Sequence, residues 1–289
     1  MEGILNIYKE KGYTSFDVCA KLRGILGTKK IGHGGTLDPQ VEGVLPIAVG
    51  KATRLLEYME ASGKEYIGEV TIGIATETED AEGAIVETKT VARDLSEVAV
   101  DKAMASFVGV IAQVPPMYSA VKIKGKRLYE YARQGLVIDR PAREVEIKAF
   151  ERTSDITFVE NTAKFSFRVA CGKGTYVRTL AVDLARKLGY PGHMSQLTRT
   201  MANGLRIENA VKVAEVQVGN FNLLPLSSAV VDLPRVDVSE EERMEISFGR
   251  DVFFAEHSEE ILAAFFEDKL IAILEKRVEA CYKPKKVLD

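Results

Sequence analysis

The sequence predicts an α+β fold, a mixed or antiparallel sheet flanked by helices, followed by a small β-rich C-terminal domain. Three observations carry that reading. Helical and strand-like stretches follow one another without the regular βαβ order of a parallel sheet. The stretches 65–76, 143–158 and 162–171 show the period-two alternation of half-buried strands. From about Asp232 the character changes: Leu233-Pro234 opens a segment with its own helix start and two late strand-like stretches. The expected division is 1–231 and 232–289.

Taken in order, Thr14 to Leu26 reads as an amphipathic helix. Thr14 or Ser15 can cap it, Val18, Leu22, Ile25 and Leu26 recur at helical spacing, and Gly27 suits its exit. A glycine-rich loop follows, then a helix over 52–61. In 65–76, Tyr66, Val70, Ile72 and Ile74 share one face, with Glu65, Glu69 and Thr71 opposite. Val100, Met104, Phe107 and Val108 mark a helix opened by a capping-box-like Asp94…Glu97. After Pro115-Pro116, a basic run reads as a strand turning into a short helix. Val177, Leu180, Ala181, Leu184 and Leu188 give a helix that stops at Gly189. In the C-terminal segment, Ser239-Glu-Glu-Glu starts a helix, and 269–275 and 279–287 read as strands.

Composition narrows the function. A chain of 289 residues, 46% apolar and 28% charged, belongs among ordinary globular proteins. No basic-then-apolar leader and no long apolar span is visible, so a cytoplasmic protein off the membrane is expected. Cys19, Cys171 and Cys281 are odd in number and far apart, which suits a reducing compartment rather than a disulfide framework. His33, His193 and His257 are equally scattered, so a His-based metal site is not expected. Walker, Rossmann and nucleophile-elbow glycine motifs are all missing.

The formal net charge of -3, taken alone, argues against a polyanionic partner. Its distribution argues otherwise: 1–60 sums to +1, 61–100 to -6, 101–210 to +8 and 211–289 to -6.

Three stretches carry chemistry. In Gly32-His33-Gly34-Gly35-Thr36-Leu37-Asp38-Pro39, the glycines allow close backbone approach and Pro39 restricts Asp38 to extended geometry. A carboxylate held this way can act as nucleophile or acid/base, though an Asp-Pro pair can equally make an Asx-turn. In Cys171-Gly172-Lys173-Gly174-Thr175-Tyr176-Val177-Arg178, glycine-backed cations lead into a helix start. Arg178 there can pair with a carboxylate such as Asp38 or remain a solvated cation. From Val114 to Arg133, lysines and arginines alternate with tyrosines, as single-stranded nucleic acid requires, or as a solvated basic face would.

Together these stretches resemble the bacterial tRNA pseudouridine synthases of the TruB type. The family's Lys-Pro-x-Gly-x-Thr-Ser appears as Lys9 to Ser15, and its Gly-His-x-Gly-Thr-Leu-Asp-Pro as Gly32 to Pro39. Gly43 to Pro46, Gly50 to Thr53, Lys64-Glu65-Tyr66, Thr76 to Asp80, 115–133 and 173–179 continue the match in order. Glu10 replaces a proline, Val41-Glu42 replaces Ala-Thr or Ala-Ser, and Glu77 stands where Asp is usual.

The resemblance implies a pseudouridine synthase catalytic domain with a PUA-like C-terminal domain. It implies isomerisation of the T-loop uridine at position 55 of tRNA, by base flipping and aspartate-dependent glycosidic cleavage, without a cofactor. It casts Asp38, Tyr66 and Arg178 as the catalytic set, with Tyr66 stacking on the base. His33 would engage the loop, Leu197 would pack the base, and Lys9, Lys122, Lys124, Lys126 and Lys173 would bind substrate. The partner is the T-arm of tRNA, and nothing demands a protein partner or an oligomer. Two rivals are a non-catalytic RNA-binding protein and a cofactor-free hydrolase built on Asp38 and His33. The first needs no Asp38–Tyr66–Arg178 triplet, and the second leaves 115–133 unexplained.

Overall fold

A computed structural model describes residues 1–288. The chain divides into two compact units, Met1–Gln40, Val44–Ser62 and Ala202–Asp289 forming one, Val41–Gly43 and Gly63–Met201 the other.

In the first unit, strand Gly3–Lys9 is apolar and almost wholly buried. It exchanges backbone hydrogen bonds with Leu224 through Ile4, and with Val211 through Asn6 and Tyr8. Helix Ser15–Leu26 has the expected cap: Thr14 Oγ accepts from the Asp17 amide, and Asp17 accepts in turn from the Thr14 amide. Its exit residue Gly27 is left-handed at φ 62°. Strand Ile31–His33 then pairs antiparallel with Glu42–Val49, joining Ile31 to Val49 and His33 to Ile47.

The C-terminal strands form a separate five-stranded sheet in the order Arg235–Asp237, Ile261–Phe266, Lys269–Val278, Cys281–Val287, Val252–Phe253. Both faces of Ile261–Phe266 are covered. Leu262 and Ala264 join Val238, Ile246 and Tyr282 in one cluster, while Ala263 and Phe265 join Ile4, Ala48, Leu55 and Met59 in another. That is why the stretch is continuously apolar. The helix Glu240–Ser247 starts where expected, with a capping box from Ser239 to Glu242.

In the second unit, the antiparallel sheet runs Gly192–Ala202, Lys64–Ile72, Thr162–Cys171, Arg143–Arg152, Gly109–Gln113. Along Thr162–Cys171, Ala163, Phe165, Phe167, Val169 and Cys171 are buried in strict alternation. Each large apolar side chain so placed is worth about 1.5–3 kcal/mol. Helix Val177–Lys187 covers the sheet, so close that a Cβ on Gly192 would lie 2.4 Å from that of Ala185.

Several expected elements need correction. The strand expected over 143–158 ends at Arg152, and Thr157–Val159 is a separate strand pairing with Thr162–Cys171. The helix expected over 52–61 begins as a 3-10 helix, Gly50–Leu55, and is α-helical only over Leu56–Ala61. The strand expected over 65–76 breaks at Gly73, whose φ of 107° turns the chain into a separate hairpin, Ile74–Thr76 with Ile85–Thr88. The helix with Val100 and Met104 spans Glu97–Ala105, is capped by Ser96 rather than Asp94, and ends before Phe107 and Val108. Phe107 instead meets Phe150 edge-on at 6.4 Å.

Candidate active site

The loop carrying Asp38 closes the hairpin between Ile31–His33 and Glu42–Val49. Both neighbours of Asp38 are pinned. The Leu37 amide donates to Ser15 Oγ at 2.9 Å, and that hydroxyl lies 3.2 Å from the Leu37 carbonyl it can donate to. Ser15 and Leu37 are both buried. On the other side, the Pro39 carbonyl accepts from the Gly12 amide at 2.9 Å and from Lys9 Nζ at 3.1 Å. Lys9 is fully buried, and its ammonium also donates to the carbonyls of Tyr13 and Glu10. The family motif Lys9 to Ser15 thus braces the loop of the second motif from behind, and the Lys9 charge points inward. Asp38 itself is half-buried, as is His33 at the end of its strand.

In the second unit, Tyr66 and Leu197 are both buried, each 7% exposed. They stand on neighbouring strands. A Cβ on Gly68 would lie 3.0 Å from Leu197 Cδ1, which puts Leu197 over the strand face that Tyr66 and Gly68 share.

Arg178 is the second residue of helix Val177–Lys187, and its side chain is 6% exposed. Its guanidinium donates to the carbonyls of Thr78 and Tyr118, both at 2.9 Å, and pairs with Asp80 at 3.5 Å. Next to it, the Thr179 hydroxyl donates to Glu79 at 2.7 Å, and burial pushes the Glu79 carboxyl above its ordinary range. Asp80 lies within the family motif at 76–80, but the sequence alone gives it no task. Its spacing to Arg178, about a hundred residues away, carries no signal.

The basic stretch folds as expected in outline. Strands Lys122–Ile123 and Lys126–Arg127 form a hairpin whose turn, Lys124-Gly125, has both φ angles positive, and helix Leu128–Ala132 follows. Lys122, Lys124 and Lys126 are exposed, and Lys126 and Arg127 lie over the rings of Tyr131 and Tyr129. Lys173 is exposed in the loop before the Arg178 helix. Among the described residues, no group of three His, Cys, Asp or Glu side chains converges as a metal site. Among them, too, no helix is long and apolar enough to cross a membrane.

Known proteins resemble this chain along its whole length. The model of the TruB family pseudouridylate synthase, N-terminal domain, matches residues 23–177. A tRNA pseudouridine synthase B from Lactococcus lactis subsp. lactis is 54% identical, over 100% of this chain and 98% of its own. Another from Streptococcus mutans is 55% identical over 99% of each. Among solved structures, a chain of a Cbf5-Nop10-Gar1 complex superposes with a TM-score of 0.75 at 25% identity, covering 99% of this chain and 85% of that one. The braced aspartate loop, the buried Arg178 and these matches lead to one conclusion: the chain belongs to the TruB family of pseudouridylate synthases.

Proposed function

We propose that the protein converts the T-loop uridine at position 55 of tRNA to pseudouridine. The observation that carries this reading is the bracing of Asp38 between Ser15–Leu37 and Lys9–Pro39. A surface that only bound RNA would need no buried lysine behind an aspartate. The name of the relatives supports tRNA as substrate.

The reaction breaks the N1–C1′ bond, turns the base, and forms a C5–C1′ bond. The proton leaves C5 and N1 gains one, so substrate and product are isomers and no co-reactant is consumed. The uridine is flipped from its stack, and Tyr66 and Leu197 replace the stacking it gives up with a ring and an apolar wall. Asp38 acts on the exposed nucleotide as nucleophile or base. Arg178 supplies a fixed positive charge, and Asp80 positions Arg178. Lys122, Lys124, Lys126 and Lys173 neutralise phosphates, and His33 engages the loop being opened. Lys9 contributes from behind, through the Pro39 carbonyl. Residues 232–289 act as a PUA-like RNA-binding module on a 1–231 catalytic domain. The protein works as a cytoplasmic monomer without an obligate protein partner.

One assay tests the reading: incubate the protein with an unmodified tRNA transcript and map pseudouridine. Product at the T-loop uridine, and none from Asp38→Asn, is the expected result. Product elsewhere, or full turnover by Asp38→Asn, overturns it.

A further inference from the structure

The Arg178 helix lacks the side-chain cap that helix starts ordinarily have. The side chain of its N-cap residue, Tyr176, makes no capping hydrogen bond, and first-turn backbone groups left unpaired are costly when buried. Gln113 instead holds the backbone of the N-cap residue itself. It lies at the end of strand Gly109–Gln113, is 2% exposed, and grips Tyr176 twice. The Tyr176 amide donates to Gln113 Oε1 at 2.8 Å, and Gln113 Nε2 donates to the Tyr176 carbonyl at 3.0 Å.

The same segment reaches Arg178 again five residues later, where the Tyr118 carbonyl accepts from its guanidinium at 2.9 Å. Between these two points stand Pro115 and Pro116, both buried, whose fixed φ angles stiffen the link. One short segment therefore holds both the backbone at Tyr176, two residues before Arg178, and the Arg178 guanidinium.

We propose that Gln113 is a positioning residue for the reaction: its amide clamps the helix start at Tyr176 and so aims Arg178. This rests on the reading of Arg178 given above. An amide suits the task because it both donates and accepts without adding charge beside the guanidinium.

The test compares single-turnover rates, tRNA affinity and pH profiles of Gln113→Ala, Gln113→Glu and Arg178→Lys in the full chain. Misplacing a reacting group by about 1 Å costs on the order of 100-fold, so Gln113→Ala is expected to lose about that rate with unchanged tRNA affinity. In Gln113→Glu, a protonated carboxyl reproduces the donor and acceptor of the amide. An ionised one sets negative charge against the Tyr176 carbonyl. Its rate relative to the unaltered protein therefore falls as pH rises, which a merely structural role would not produce.

A wild-type rate for Gln113→Ala with Arg178→Lys impaired overturns the positioning role alone. Wild-type rates for both overturn the reading of Arg178 and the clamp with it. If Gln113→Ala fails to fold, the pH profile of Gln113→Glu decides, and a flat ratio refutes the proposal.

Discussion

Ser15→Ala removes one buried oxygen that touches neither substrate nor Asp38, yet it should slow the reaction. The hydroxyl is the acceptor for the Leu37 amide at 2.9 Å, and both residues are buried, so its removal leaves an N–H without that partner. An orphaned buried donor costs about 1–3 kcal/mol. The return bond to the Leu37 carbonyl is 3.2 Å, long for a hydroxyl donor, and adds little. The sum is about 2 kcal/mol, enough to raise the population of a loosened loop by roughly 30-fold. Asp38 is the next residue along, so this loosening falls on the carboxylate itself. For a chain of this size, about 2 kcal/mol corresponds to a melting temperature lower by about 4 °C. The rate is read from release of tritium from tRNA labelled at uridine C5, since that proton must leave. A drop in single-turnover rate of about 10- to 100-fold at unchanged tRNA affinity is expected if misplacement is the cause. A wild-type rate at a lowered melting temperature would show that the clamp stabilises the fold without aiming Asp38.

The other predictions use separate features. Asp38→Asn keeps tRNA binding and loses turnover by several orders of magnitude, measured by the same tritium release. Lys124 and Lys126 together changed to Ala weaken tRNA binding and lower the slope of log affinity against log salt by about 2, one for each phosphate no longer neutralised, as filter binding at several salt concentrations reads out. Glu79→Gln tests the buried carboxyl beside Arg178. Because burial raises its folded-state value above the unfolded one, the stability it contributes is complete below the unfolded carboxylate range and is lost as pH rises through the folded value. Urea unfolding should therefore show Glu79→Gln gaining on the unaltered protein from acidic toward neutral pH, and a constant difference would contradict this.

How far the fold is legible depends on where the hydrophobic signal is one-sided. The helix Ser15–Leu26 and strand Thr162–Cys171 each bury one face, so capping and alternation reveal them. Strands Gly3–Lys9 and Glu42–Val49 are buried almost throughout and show no period. The second also carries Pro46, which argues against an interior strand, and Gly43, where a Cβ would lie 2.2 Å from the Arg199 carbonyl oxygen. At Gly73 the apolar parity of Ile72 and Ile74 runs on across a turn that only the backbone angle reveals. The site divides similarly. Motifs locate Asp38, Tyr66, Asp80, Arg178 and the basic hairpin as candidates, whereas the bonds of Asp80 and Gln113 to residues about 98 and 63 positions away are not encoded in a linear pattern.

The two bracing arrangements share a physical logic. Asp38 and Arg178 are each held partly through the backbone beside them, and Arg178 also through the Thr78 and Tyr118 carbonyls and its pair with Asp80. Ser15 holds Leu37 next to Asp38, and Gln113 holds Tyr176 two residues before Arg178; both use neutral groups that donate and accept at once. Lys9 departs from the pattern, but its charge is spread over three carbonyls and kept behind Pro39. Neutral hydrogen bonds at Ser15 and Gln113 thus supply part of the positioning, and on the proposed reading Arg178 and the exposed lysines supply the charge. It follows that variants of Ser15 and Gln113 should alter rate without altering the salt dependence of binding, and variants of the hairpin lysines the reverse.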